Sequence, residues 1–366
     1  MKKFRQLSII GILIIFSSSF LNAQPLKVRA RSVWPIEKAK QWYNKHNWII
    51  GANFIPSTAI NQLEMWQPDT FDPATIDREL GYAEGIGFNT MRVFLHSVAY
   101  QQNAQGFKYR VRQYLTIANK HHIKTIFVFF DDCWNSNPRS GKQPEPKIGV
   151  HNSGWLQDPG VSALKYPNEM AMLHTYVNDM MRSFSHDERI LFWDLYNEPG
   201  NNNKRDTSLN LLTKVFAWAH EINTDQPVSA GLWNWDYGNL NLFQTLNSDI
   251  LTYHDYEDEI THERVIELLK THGKPLICTE YMARLRKSTF SNILPILKKE
   301  NVGAINWGLV AGKTNTIYAW DSPMPKGEEP EIWFHDIFRK DGTPYQPTET
   351  EFIKKIIGRS KAEGSK

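Results

Sequence analysis

Several features that would direct the chain to other chemistries are missing. Cysteine occurs twice in 366 residues, at Cys133 and Cys278, and no Cys/His cluster has metal-ligand spacing. There is no Gly-x-Ser-x-Gly elbow and no Walker loop, and Gly85-Ile86-Gly87 lacks the third glycine of a dinucleotide-binding turn. His262-Glu263 lacks the second histidine of a zinc protease motif. The sequence therefore implies no cofactor and no metal.

An apolar run long enough to cross a bilayer is also missing. Residues 1–23 have the pattern of a cleavable signal peptide, with a basic start, a short apolar stretch over 7–16 and the small Ala23 at the end. An uncleaved anchor is the alternative, although the stretch is short for a span. No cysteine lies near the cleavage site, so a lipoprotein is not expected. We predict a secreted or periplasmic protein without stable membrane insertion.

Net charge is nearly absent from the mature chain. The 42 Lys and Arg exceed the 39 Asp and Glu by three, and Lys2, Lys3 and Arg5 of the signal account for that excess. A neutral chain has no electrostatic footprint for nucleic acid, so a nucleic-acid partner is not expected.

From Trp48 onward, short apolar runs alternate with amphipathic helical patterns, which is typical of repeated βα units. Eight strand–helix pairs in order favour an α/β fold of the (β/α)8 TIM-barrel type in a single domain. The predicted strands are 48–54, 90–95, 125–130, 190–196, 228–232, 250–253, 275–278 and 304–307; the predicted helices are 73–84, 111–121, 168–184, 209–222, 240–246, 263–271, 291–300 and 348–357.

This pattern predicts the organisation of the chain. The barrel takes residues 48–366, and residues 24–47 cover its bottom or side. Cys133 and Cys278 fall on strands 3 and 7, on different sides of the barrel, so we expect two buried free thiols rather than a disulfide. Long connections at 131–167 and 310–334 follow strands 3 and 8, on the face where barrel enzymes place their sites.

Two strand ends carry the strongest chemical signal. Strand 4 ends in Asn197-Glu198-Pro199, and strand 7 ends in Thr279-Glu280. Since these strands lie across the barrel from one another, both carboxylates can face one pocket. Cleavage of a glycosidic bond needs such a pair, one group to protonate the leaving oxygen and one to attack the anomeric carbon.

With these residues the chain resembles the clan A glycoside hydrolases, most closely the cellulase-like family 5 branch. The resemblance implies Glu198 as acid/base, Glu280 as nucleophile and a retaining mechanism. It also implies that Arg92 supports the nucleophile, that Tyr256 of His254-Asp255-Tyr256 bonds to it, and that Asn197 contacts the sugar 2-hydroxyl. Trp307 corresponds to the tryptophan beneath the sugar before the cleaved bond. The chain departs from the family after strand 3, where Asp131-Asp132-Cys133-Trp134-Asn135 replaces the usual His and Asn; Trp134 is the candidate for part of that role.

Tryptophan is abundant, at 13 residues, and sugar rings present apolar faces that pack on aromatic planes. Six of the tryptophans fall at or after strand ends: Trp134, Trp155, Trp233, Trp235, Trp307 and Trp320. We expect Trp134, Trp233, Trp235 and Trp307 to bind a carbohydrate substrate, although most tryptophans only pack in the core. A catalytically silent sugar-binding barrel and a transglycosidase stay open as alternatives. The sugar and the choice between endo- and exo-action stay open too.

Overall fold

The computed structural model describes residues 31–161, 163–321 and 324–358. The predicted signal over 1–23 lies outside these residues and stays a prediction. Within the described part, no helix is both long enough and apolar enough to cross a membrane. The strands are β1 (Ile50–Asn53), β2 (Thr90–Phe94), β3 (Lys124–Asp131), β4 (Ile190–Asn197), β5 (Val228–Ser229), β6 (Leu251–His254), β7 (Leu276–Glu280) and β8 (Gly303–Asn306).

Helices alternate with these strands as the apolar periodicity predicts. They are α1 (Ile36–Tyr43), α2 (Gln62–Trp66), α3 (Pro73–Ile86), α4 (Ser97–Gln102), α5 (Ala104–Lys120), α6 (Pro167–Ser183), α7 (Leu209–His220), α8 (Gly238–Asn247), α9 (Glu259–Lys270), α10 (Phe290–Lys299) and α11 (Pro347–Ile357). Helix α3 shows the local causes: the Asp72 side chain accepts from the Thr75 amide, Pro73 opens the helix, and Gly87 ends it at a φ of +95°.

The eight strands pair in parallel in the order β5-β4-β3-β2-β1-β8-β7-β6. The ring closes between β5 and β6, where Leu232 bridges Tyr253 and the His254 amide donates to the Leu232 carbonyl at 2.8 Å. The predicted (β/α)8 barrel is therefore confirmed. The predicted fifth strand was too long as a regular strand, since only Val228–Ser229 is regular and Leu232 adds an isolated bridge.

A separate apolar cluster lies near the amino-terminal ends of the strands. Trp34 and Tyr43, from the segment before β1, are buried in it with Ile49, Ile126 and Ile250. The main cluster lies between the strands and the surrounding helices. Cys133 and Cys278 are buried free thiols, as predicted, although Cys133 lies two residues beyond the end of β3.

Candidate active site

The pocket at the carboxyl ends of the strands contains both predicted carboxylates. It has a volume of about 500 Å³. Nine of the ten predicted site residues line it: Asn197, Glu198, Glu280, His254, Tyr256, Trp134, Trp233, Trp235 and Trp307. The tenth, Arg92, is fully buried beneath and reaches Glu280 from β2.

Glu280 is held by two donors at the end of β7. An Arg92 Nη donates to its Oε1 at 2.9 Å, and the Tyr256 hydroxyl donates to its Oε2 at 2.8 Å. Burial raises the pKa of Tyr256 well above its usual range, so the phenol keeps its proton and serves as a donor. These contacts are the ones that the family resemblance implies for Arg92 and Tyr256.

Arg92 also fixes the end of β4. Its guanidinium donates to Asp194 at 2.9 Å and to the side-chain Oδ1 of Asn197 at 2.7 Å. The Asn197 amide nitrogen donates in turn to Asp131 at 3.0 Å. One buried cation therefore sets the orientation of both strand ends that carry the carboxylates.

Glu198 occupies a strained backbone position, with a φ of +45° immediately after β4. Its Oε2 accepts from the side-chain Nδ2 of Asn201 at 2.6 Å and from the Cys133 thiol at 3.2 Å. Burial raises the pKa of Cys133 well above its usual range, so the sulfur carries a proton to donate. Cys133 rather than Trp134 takes the place beside the acid/base candidate, and the Trp134 ring instead lines the outer pocket.

His254 lies between the two carboxylates. Its Nδ1 is 2.8 Å from Oε1 of Glu198 and 3.5 Å from Oε2 of Glu280. Burial lowers the pKa of His254 to about 4, so the ring is neutral near pH 7. With the proton on Nδ1, the ring donates to Glu198 without adding a charge.

Burial raises the pKa of both carboxyl groups, and the Glu198 charge raises the pKa of Glu280 further. Arg92 and Tyr256 bond directly to Glu280 and oppose this rise there. Glu198 has amide and thiol donors but no direct contact with a guanidinium. These contacts favour the ionised form of Glu280 more strongly than that of Glu198, because the guanidinium beside Glu280 carries a full positive charge.

Glu198, His254 and Glu280 each offer one ligand atom, and these atoms lie within 4.8 Å of one another. Such a set could hold a divalent cation by geometry alone. Arg92 already supplies the positive charge beside Glu280, and each of the three groups has a hydrogen-bond partner from the chain. The convergence is thus accounted for by the protein's own groups.

Sequence reasoning missed the residues whose place depends on loop conformation. Cys133 and Asn201 contact Glu198, while His151, Asn152 and Arg286 line the outer pocket. Their only signal in the sequence is their position after strand ends, and Cys133, His151 and Asn152 fall in the long loop after strand 3. Trp155 and Trp320, two further predicted aromatics, line the pocket as well.

The sequence matches no family model and no curated protein, whereas solved structures resemble it in fold. An exo-β-1,4-mannosidase from Opitutaceae bacterium strain TAV5 superposes with a TM-score of 0.59 at 14% identity, covering 85% of this chain and 59% of the other. A GH5_18 protein from Streptomyces cattleya in complex with Manβ1-4GlcNAc gives 0.58 at 10% identity, with coverages of 87% and 82%. The endo-β-1,4-mannanase from Thermotoga petrophila gives 0.55 at 15% identity, with coverages of 89% and 79%.

This chain spans 59% of the length of the first of these structures. Structural superposition at identities this low shows a shared fold. The chain therefore shares the (β/α)8 barrel fold of these structures.

Proposed function

We propose that the chain is a retaining glycoside hydrolase acting on β-linked sugars, with Glu280 as nucleophile and Glu198 as acid/base. The observation that carries the proposal is the distance between the two carboxylates, which bring oxygens within 4.8 Å of each other. Retaining enzymes place the two groups ~5–5.5 Å apart, whereas inverting enzymes need ~6.5–9.5 Å to admit a water. The spacing supports direct attack by one carboxylate.

In the first step, an oxygen of Glu280 attacks the anomeric carbon while Glu198 gives its proton to the departing glycosidic oxygen. The C–O bond to the leaving sugar breaks, and an ester to Glu280 forms. In the second step, Glu198, now ionised, takes a proton from water, and the resulting hydroxide displaces Glu280. Arg92 and Tyr256 stabilise the Glu280 carboxylate before attack and after release.

Asn197 and Trp307 complete the sugar site in this proposal. The Asn197 amide reaches the pocket with its orientation fixed by Arg92 and Asp131, so it can meet the sugar 2-hydroxyl. Trp307 packs edge-on against Phe94 at 5.8 Å and against Trp155 at 5.3 Å between ring centroids. That packing holds the indole in place as a platform for a sugar face.

The test compares wild type with Glu280→Ala and Glu198→Ala on aryl β-glycosides and on β-mannan, β-glucan and β-xylan. β-Mannosides come first because similar structures are named as mannosidases and mannanases. Glu280→Ala should lose turnover, and azide should restore it with inverted configuration at the anomeric carbon. Glu198→Ala should lose about 10²–10⁴-fold on natural substrates and far less on activated aryl glycosides.

Glu263→Ala is the matched control, because Glu263 is exposed on the outer helix α9. Wild-type cleavage that survives both active-site changes would refute the assignment. Binding without cleavage by folded wild type would favour the silent sugar-binding barrel, and products longer than the substrate would favour the transglycosidase. Activity that EDTA removes and a divalent cation restores would instead indicate a metal at Glu198, His254 and Glu280.

We also propose export of the mature chain, on the signal pattern of residues 1–23. Sequencing of the amino terminus of the exported protein tests it, and an intact Met1 would contradict it.

A further inference from the structure

Two long loops meet above the barrel and make one wall of the pocket. The loop after β3 and the loop after β8, here called the paired loops, exchange hydrogen bonds between residues 147–152 on one side and residues 314–318 and 324 on the other. The Asn152 amide donates to the Thr314 carbonyl at 2.8 Å, and the Met324 amide donates to the Gly149 carbonyl at 2.9 Å. Gly149 allows the close approach, because a Cβ there would lie 1.7 Å from the Met324 oxygen. The paired loops thus span the mouth between β3 and β8.

The inner surface of this wall is aromatic. The His151 ring lies between Trp134, at 5.7 Å, and Trp320, at 6.5 Å between centroids. Its Nδ1 donates to the Tyr318 carbonyl at 2.8 Å, which ties the ring to the second loop. Trp320 then packs edge-on against Tyr256 at 4.9 Å.

Charged groups extend the wall past β8. Arg286, which follows β7, lies over the Trp320 ring at 5.8 Å and pairs with Glu257 after β6 at 2.5 Å. Each of these three residues lines the pocket. The loops after β3, β8, β7 and β6 are therefore linked in a continuous series of contacts.

The position of this wall relative to the carboxylates indicates which sugar of the substrate it borders. Trp320 packs against Tyr256, which donates to Glu280, so this end of the wall stands beside the nucleophile, while Trp134 at the other end follows Cys133, which donates to Glu198. In a retaining mechanism the nucleophile meets the anomeric carbon of the sugar that it captures, and the acid/base faces the leaving group. The Trp320 end of the wall therefore borders the captured sugar.

The acid/base side has a different rim. The Trp233 indole donates to the carbonyl of Pro199, the residue after Glu198, at 3.0 Å. Trp235 lies near it with 42% of its surface exposed. This rim offers aromatic surface to a leaving group that extends outward into solvent.

We propose, resting on the function proposed above, that the enzyme is exo-acting and releases single sugars from the non-reducing end. The paired loops block extension of a chain beyond the captured unit, and the remaining chain passes over Trp233 and Trp235. A cavity of about 500 Å³ falls in the ~300–1,000 Å³ range of small-molecule pockets. That volume has room for a few sugar rings.

The experiment uses β-1,4-linked manno-, gluco- and xylopentaose labelled with 2-aminobenzamide at the reducing end. The manno- and glucopentaose are also made with a 4,6-O-benzylidene cap on the non-reducing unit. Xylopentaose has no sixth carbon and is used uncapped. At early times the labelled product should be one unit shorter than the substrate. The cap should prevent cleavage, because the capped unit does not fit behind the paired loops.

Trp320→Ala opens the wall, and the ring is 37% exposed, so its loss is compatible with folding. Cleavage of the capped probe should rise at least about tenfold over wild type. Trp235→Ala is the matched control: it removes the same ring from the opposite rim and should raise KM for pentasaccharides without admitting the cap. Thermal melting checks that each variant is folded.

Labelled fragments of several lengths at early times, or cleavage of the capped probe by wild type, would overturn exo-action while the proposed hydrolase stands. Cleavage of aryl monoglycosides without any pentasaccharide cleavage would support a pocket closed around one sugar. Silence of folded wild type on every probe and aryl glycoside would overturn both the hydrolase and this inference.

Discussion

Cys133 is the residue at which the site departs furthest from the family that the chain resembles. Its thiol donates to Glu198 Oε2, and its sulfur lies 3.4 Å from the Asn197 amide and 3.3 Å from the Asn201 amide. A donor to a carboxylate favours the ionised form and lowers the pKa of that carboxyl group. Cys133 therefore restrains the rise in pKa that burial imposes on Glu198.

Replacing Cys133 with alanine should move the basic limb of the pH profile of kcat/KM. The limb falls as pH rises through the pKa of Glu198, because the general acid loses its proton there. Without the thiol donor the pKa of Glu198 rises, so the basic limb should move to higher pH by about half a pH unit or more. The measurement is kcat/KM from pH 4 to 10 on an unactivated substrate.

Cys133→Ser keeps a hydroxyl donor and should restore part of the wild-type limb. Cys278→Ala is the matched control, since this second buried thiol bonds to the Glu280 backbone carbonyl and not to a carboxylate. An unmoved limb in Cys133→Ala would show that the thiol only fills space.

At the residue scale, the sequence predicted best those side chains that strands place. Glu198 and Glu280 follow from strand ends, and parallel pairing brings such positions to one mouth, whereas the role of Arg92 was implied by the family resemblance. Cys133 and Asn201 depend on how the loops after β3 and β4 fold back. Asp132 orders that fold by accepting from the Gly200 amide at 2.8 Å and from Tyr196 at 2.8 Å. Such a contact between two loops leaves no periodic trace in the sequence.

Helices were predictable from the sequence where the amphipathic pattern extends over several turns. Helices of one or two turns were not. Helices α2 and α4 were not predicted; they have five and six residues and sit in the loops after β1 and β2. Asn61 and Glu64 are the residues that indicate the start of α2. The Asn61 side chain accepts from the Glu64 amide, and Glu64 accepts from the Ile60 amide at 2.7 Å. This is close to a capping box, which a search limited to long amphipathic patterns passes over.

Helix α3 carries a buried acid that links it to the loop after β1. Both Glu79 carboxylate oxygens face the Ser57 amide, at 3.0 and 3.4 Å. Burial raises the pKa of Glu79 to about 7. Since the folded state then holds the proton more tightly than the unfolded chain, this group contributes stability below about pH 4.5, and that contribution is lost as pH rises to about 7.

Glu79→Gln should remove this dependence, because the amide oxygen still accepts from Ser57 and no longer titrates. We expect the loss of Tm between pH 5 and pH 8 to be smaller in the variant than in wild type. Glu37→Gln on the exposed face of α1 should leave the wild-type slope unchanged. An equal slope in Glu79→Gln and wild type would contradict a protonated Glu79 in the folded protein.

On the scale of the whole molecule, stability and chemistry lie at opposite ends of the barrel. The carboxylates sit at the carboxyl ends of the strands, while the segment before β1 is attached at the amino-terminal ends. Asp249 holds that attachment: it is fully buried and accepts from the Trp34 amide at 2.7 Å, from Arg31 at 2.7 Å and from the Val228 amide at 2.8 Å. One carboxylate thus joins the leading segment to the starts of β5 and β6.

Asp249→Ala should destabilise the fold by about 3–5 kcal/mol, because it leaves the Arg31 guanidinium and two buried amides without their acceptor. Urea unfolding measures the change, with Asp225→Ala, an exposed carboxylate paired to His186, as a control expected within about 0.5 kcal/mol. Below the unfolding transition, kcat and KM of Asp249→Ala should match wild type, because the site stands on the other end of the strands.

A variant with wild-type stability would show that the leading segment is not part of the cooperative fold. A stable variant with altered KM would mean that the two ends of the barrel are coupled, so that stability and chemistry are not separate.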